Sequence, residues 1–462
     1  MIDGGRTLAG RLERYRAAAR GPAIDTVVAE HADDLAIRLA DAVGGEVIRT
    51  SEGVIVRCEA PSRTLPVDRA RLAMLPGQPP VETPLVCLDT ETTGLATAAG
   101  TVAFLIGLGW WEADQFRQIQ LLLPDHGEER AMLTALAAMI PPNAWLVTYN
   151  GRGFDWPLLV ARYRLARRAA PVHDGHLDLL PIVRRLFRHR MPDARLRTAE
   201  ASLLGLVRTG DVDGWEIPGR YLHFLRGGSA SGLVEVVRHN DQDVRSLGQL
   251  LALLERSLGD DDGRAQAPPG DLAGLARAFA RERRLDEALA CLDAASHRAI
   301  QDVPVADDDP WWSARGPADF GGRPPPGRRT VASSPTVRVQ APWTTERIAV
   351  DRAHLLRRLG RHLEALDAWS GLAAGPGRIA ISAAMELAKV HEHGFHDREA
   401  ALAVALRGLA LVERRRRMGM PEPTLEADLM YRVARLQRRQ RPGAKRTVAW
   451  GPTTGRASGR SP

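Results

Sequence analysis

At 462 residues and 44% hydrophobic, the chain is long enough for two or three domains with real cores, and no run approaches the roughly 18 uninterrupted apolar residues of a membrane span. Three scattered cysteines (Cys58, Cys87 and Cys291) exclude a disulfide framework, and an N-terminus with arginines but no apolar segment makes the cytoplasm the expected location. The net charge of +7 suits a nucleic-acid partner, but it is nearly all arginine, with only Lys389 and Lys445 as lysines, a coding-bias pattern that gives it modest weight.

Residues 1–80 mix a helical opening with the strand-like GEVIRTSEGVIVRCEA, in which TSEG at 50–53 can turn a hairpin. This region carries no chemical motif. From 84 to 256, LVCLDTET, TVAFLIGLGWW and FRQIQLLL read as three strands, with turn signals between them. GEERAMLTALAAMI then repeats its apolar positions at helical spacing, AWLVTYN is a further strand, and FDWPLLVARYRLARRA is a helix. A meander followed by alternating helix and strand predicts an α/β domain, a mixed five-stranded sheet with helices on its faces.

Beyond 265 the chain turns to alanine-rich helices, as in LAGLARAFARERRLDEALACLDAA (272–295) and RAHLLRRLGRHLEALDAWSGLAA (352–374). Polar turns followed by Glu-Ala-Leu resemble degenerate tetratricopeptide repeats, an all-α region suited to a protein partner. An unspecific helical bundle satisfies the same pattern. The expected divisions are a first helical hairpin at 270–298, a flexible linker at 300–342 rich in Pro, Gly and Asp, repeats at 343–436, and a basic disordered tail at 437–462.

The chemistry starts at LVCLDTETTGL (85–95). Residues two apart in a strand share a face, so Asp89 and Glu91 project together and repel unless something positive sits between them. A metal ion would explain the pair. In TYNGRGFDWPLL (148–159), Asp155 stands at a helix start, where capping alone also favours a carboxylate. In VVRHNDQDVRSLGQLLALLE (236–255), Asp243 and His239, one turn earlier, share the side of Val236, Leu247 and Leu250. An aspartate on an apolar face is costly unless paired or bound to metal. Asp241 points the other way, with Arg245 as a solvated partner.

Strand, helix start and late helix, in that order, carry Asp89, Glu91, Asp155 and Asp243, a pattern that resembles the DEDD exonucleases of the ribonuclease-H-like superfamily. His239, four residues before Asp243, stands where one branch of that group has tyrosine, while the histidine branch places its His five before. GTVAFLIGLG, HLDLLPIVRRLF, EIPGRYLHFLRGG and RHNDQDVRSL are similar to the YprB-like bacterial ribonuclease-H-like family over residues 84–256. That resemblance implies phosphodiester hydrolysis with two divalent ions, Mg²⁺ or Mn²⁺, held by the four acids, on single-stranded DNA or RNA from the 3′ end. It implies that Asp89 bridges both ions, that His239 orients or deprotonates the water, and that Asn150 steadies the loop or terminal nucleotide. Thr92, Gly94 and Leu95 would meet the terminal base. The absence of a Cys/His ligand set argues against zinc.

Two further features have plainer readings beside the functional one. His173, Asp174, His176 and Asp178 form a cluster, but Asp178 before Leu-Leu-Pro reads as a helix cap. Arg220 and Tyr221 offer either a basic-aromatic strip for single strands or a packing segment. The competing functional class is a nucleic-acid-binding scaffold whose helical repeats recruit partners without catalysis.

Overall fold

A computed structural model of the chain describes residues 22–94, 100–301 and 345–440, which divide into two compact units between residues 343 and 344. Leu95 lies outside the described residues, as do nearly all of the segments expected as linker and tail. None of the described helices is long and apolar enough to cross a membrane.

The first unit is built on one mixed sheet. Its strands are β1 (Glu46–Thr50), β2 (Gly53–Thr64), β3 (Leu85–Thr92), β4 (Ala103–Glu112), β5 (Gln115–Leu122), β6 (Trp145–Thr148) and β7 (Gly175–Asp178), in the order β1-β2-β5-β4-β3-β6-β7. The meander β3–β4–β5 is antiparallel, whereas β6 and β7 add in parallel on the other side of β3. Residues 84–256 supply the five expected strands, β3–β7, and the N-terminal hairpin β1–β2 extends the sheet to seven. The hairpin turned at 51–52 lays β2 along β5, pairing Val56 with Leu122 and burying Val54, Ile55 and Val56. This covers an edge that would otherwise present unpaired backbone.

Cys87, Leu88, Leu105, Ile106 and Leu108 are fully buried, as a strand covered on both faces requires. The helices of this unit are α1 (Pro22–Val43), α2 (Arg69–Ala73), α3 (Glu129–Met139), α4 (Asp155–Leu165), α5 (Leu179–Phe187), α6 (Leu196–Ala199), α7 (Ile217–Leu225), α8 (Ser231–Leu258), α9 (Asp261–Gln266), α10 (Pro269–Arg281) and α11 (Leu285–Gln301). The long α8 crosses β3, β4 and β5, and α1 packs on β2 and α8. The α10–α11 hairpin, expected to open a repeat array, packs against α5 of this unit.

The second unit is all-α. Helices α12 (Thr345–Arg358), α13 (His362–Ala374), α14 (Gly377–Lys389), α15 (Arg398–Arg417) and α16 (Pro423–Gln440) each pack on the next in sequence. Ala365, Trp369, Ala384 and Leu429 form part of their shared interior.

Candidate metal centre

Asp89 and Glu91 lie at the end of β3, and Gly107 of β4 stands opposite Asp89 in the ladder. A Cβ at Gly107 would fall 2.2 Å from Asn240 Oδ1 and 2.7 Å from Val244 Cγ2, so this glycine lets α8 lie close on the sheet. That approach seats the buried Asn240 amide, which donates from Nδ2 to Asp89 Oδ2 at 2.8 Å. Its Oδ1 accepts from Gln120 Nε2 at 2.9 Å, so the amide is satisfied on both sides.

His239 and Asp243 share one side of α8, as the helical periodicity predicts. His239 Nε2 lies 3.4 Å from Asp243 Oδ2 and 3.9 Å from Glu91 Oε1. One ligand atom from each of Glu91, His239 and Asp243 can be chosen so that all lie within 4.8 Å of one another. Asp155 begins α4 with its carboxylate turned inward, accepting the Thr90 hydroxyl at 2.5 Å.

The electrostatics tie the four acids together. Burial, then the charges of Asp243, Asp155 and Glu91, push the Asp89 carboxyl well above the usual range, with the Asn240 hydrogen bond acting the other way. Burial and the charges of Asp243, Asp155 and Asp211 do the same to Glu91, relieved in part by Arg208. Burial raises Asp155 to about 6 against the Thr90 bond, and raises Asp243 against the nearby His239 and Arg208. The buried acids thus feel one another's charge, and among the described residues only Glu91 and Asp243, with His239, are grouped closely enough to hold one ion. Hard oxygen donors at that density suit Mg²⁺ or Mn²⁺.

Three charged residues around this space were not singled out in the sequence. Arg208 is 8% exposed and reaches Glu200 with Nε to Oε2 at 2.7 Å, Asp211 with Nη1 to Oδ2 at 3.2 Å, and Asp243. Asp211 Oδ1 lies 2.7 Å from His239 Nδ1. Against the upward push of burial, that hydrogen bond and the charges of His239 and Arg208 hold Asp211 below the usual carboxylate range. Nothing in VRTGDVD marks Arg208 or Asp211 before the chain is folded. Asn240 was legible, since it falls four residues from Val236 and Val244 on the buried side of α8.

The other expected site residues fall as follows. Thr92 donates its hydroxyl to the Gly94 carbonyl at 2.7 Å, a local turn at the strand end. Asn150 adopts φ +70°, a conformation that asparagine tolerates, and its backbone N–H donates to Asp178 Oδ1 at 2.8 Å. The same Asp178 caps α5 by accepting from Leu180 N, so the capping reading is the one the structure displays. His176 is buried against the Thr148 hydroxyl at 2.8 Å, and His173 packs edge-on to Trp156.

Arg220 and Tyr221 do not form an exposed strip. Tyr221 is fully buried and stacks on Phe104, ring centroids 4.1 Å apart, while Arg220 pairs with Glu216 and Glu235. Tyr221 faces inward because α7 packs its apolar side on the sheet, so this is a packing segment. Asp241 does pair with Arg245, but it also accepts from Gln118 and is only partly exposed rather than solvated.

Residues 86–255 match the model of the RNase H superfamily. The chain is also 33% identical over 224 residues to an uncharacterised protein, YprB, of Bacillus subtilis (strain 168). That similarity covers 48% of this chain and 54% of YprB, so the chain spans about half the length of the curated relative it matches.

Proposed function

We propose that this protein is a metal-dependent nuclease that hydrolyses phosphodiester bonds, working as a 3′→5′ exonuclease on single-stranded DNA or RNA ends. The observation that supports the reading is the set of buried acids Asp89, Glu91, Asp155 and Asp243, in which the charges of Asp155 and Asp243 press on both Asp89 and Glu91. Structural carboxylates are paired with cations to avoid that burden; Asp243 has Arg208, whereas Asp89 and Asp155 are held by the neutral donors Asn240 and Thr90. Two divalent ions held by the four acids would neutralise the phosphate's developing charge and activate a water.

The chain's own residues do the rest. Asn240 fixes the Asp89 carboxylate, Thr90 fixes that of Asp155, and Arg208 restrains Asp243. The Asn150 turn borders the start of α4, a position from which it can steady a terminal nucleotide. The helical second unit is proposed to bind a protein partner, and the cytoplasm is the proposed location.

The test is incubation of the purified chain with Mn²⁺ or Mg²⁺ and 5′-labelled single-stranded DNA or RNA, beside Asp89→Asn. A ladder shrinking from the 3′ end, absent in the variant and with chelator, is the expected result. Binding without cleavage by the parent would replace the nuclease with a nucleic-acid scaffold.

A further inference from the structure

We infer that His239 is a metal ligand in this chain, completing a Glu91–His239–Asp243 set for one ion, with Asp211 as the residue that positions it. The inference rests on the metal-dependent reading of the site and adds a nitrogen to its oxygen donors.

The argument begins with the imidazole. Asp211 Oδ1 lies 2.7 Å from His239 Nδ1, and an ionised carboxylate can only accept, so that nitrogen carries the hydrogen. In the neutral ring the lone pair then sits on Nε2. The polar atoms facing it are carboxylate oxygens, Asp243 Oδ2 at 3.4 Å and Glu91 Oε1 at 3.9 Å. Three acceptors turned on one another repel unless a proton or a cation lies among them.

One divalent ion among the three acceptors relieves their mutual repulsion. Ligands about 2.1 Å from an octahedral ion stand about 3 Å apart when adjacent and about 4.2 Å apart when opposite, a range that contains both observed separations. Asp211 then has the place of the outer carboxylate that orients a metal-ligating histidine. Its own second oxygen is braced by Arg208 Nη1 at 3.2 Å, and the same guanidinium reaches Asp243. Ligand and outer carboxylate are thus tied to one buried cation. An imidazole donor shifts preference from Mg²⁺ towards Mn²⁺.

The experiment loads the full chain with Mn²⁺ and records electron spin-echo envelope modulation, with Mn²⁺ titrations on the parent, His239→Gln, Asp211→Asn and Asp89→Asn. Expected are ¹⁴N modulation in the parent that disappears in His239→Gln, and a roughly 10- to 100-fold loss of Mn²⁺ affinity in Asp211→Asn. His239→Gln should also narrow the preference for Mn²⁺ over Mg²⁺. Mn²⁺ that binds in an Asp89-dependent way without nitrogen modulation overturns the inference and leaves the nuclease reading standing, with His239 as base or counter-charge. If Asp89→Asn does not change Mn²⁺ binding, or the parent binds none, both readings fall together. The parent spectrum decides the matter even where a variant does not fold.

Discussion

Carboxylates are buried in both units of this molecule, and the two cases balance their charge in opposite ways. In the second unit, Glu392 lies in the turn that follows α14, 3% exposed, between Arg432 Nη1 at 2.6 Å and Arg435. One negative charge meets two guanidinium groups. In the first unit, Arg208 and His239 both reach Asp243, Asp89 and Asp155 have the neutral donors Asn240 and Thr90, and Arg208 also serves Glu200 and Asp211. Burial is common to both clusters, so burial does not mark the candidate site. The surplus of negative charge does. A folded chain retains such a surplus at a cost to its stability unless a cation joins it.

The largest test of that contrast is Asp89→Asn. Cleavage should fall by at least ~10²-fold, the scale of removing one preorganised catalytic charge group. The metal-free variant should nevertheless melt at a higher temperature than the metal-free parent, because a repelling charge has gone while the Asn240 contact can be remade. Unchanged cleavage would falsify the assignment of Asp89 to the centre.

Glu392→Gln should act with the opposite sign. It leaves two guanidinium groups without their carboxylate, so the unfolding transition of the second unit should lose about 3 kcal/mol in a denaturant titration. The lower end of the buried-pair range applies because Arg435 is 26% exposed. A neutral result would show that Glu392 is not held by charge, and the contrast would lose one side. Added Mn²⁺ supplies the complementary test. At 100 times its dissociation constant it should stabilise the first unit of the parent by about 2.7 kcal/mol, with little effect on Asp89→Asn.

Asp271 on α10 is an intermediate case, 1% exposed with Arg190 Nη2 at 3.0 Å and His189 Nε2 at 3.2 Å. Burial pushes its carboxyl up to about 7, with Arg190 acting against that. A raised folded-state value means that its stabilising contribution is complete below about pH 4 and is lost as pH rises through about 7. Melting temperature against pH should show that loss, and Asp271→Asn should flatten it. An unchanged slope in the variant would transfer the pH dependence to another group.

Much of this was legible in the sequence where one element carries its own pattern. The apolar run 85–88 ending in Asp89 and Glu91 needed only the strand period, and the pairing of His239 with Asp243 needed only the helix period. What the sequence left obscure depends on contacts between distant elements. Arg208 and Asp211 sit on a connection that carries no period, and only the placement of α8 brings them to His239. The β1–β2 hairpin was legible as a hairpin, but its union with β5 is a long-range choice that local pattern does not specify.

Tyr221 shows the same boundary from the other side, and it gives the smallest expected effect. A tyrosine beside an arginine in IPGRYLHFLRGG fits a surface that stacks bases, yet the ring lies against Phe104 with an interplanar angle of 6°. Its hydroxyl is buried without a hydrogen-bond partner among the described residues. Tyr221→Phe therefore removes a polar atom the interior does not use, and stability should change by less than about 1 kcal/mol, in either direction. Tyr221→Ala removes the packed ring and should cost about 3–5 kcal/mol. Single-stranded DNA affinity of the Phe variant should match the parent. A drop in affinity with stability unchanged would mean that the hydroxyl is exposed to nucleic acid in solution, and α7 would then return to the substrate path.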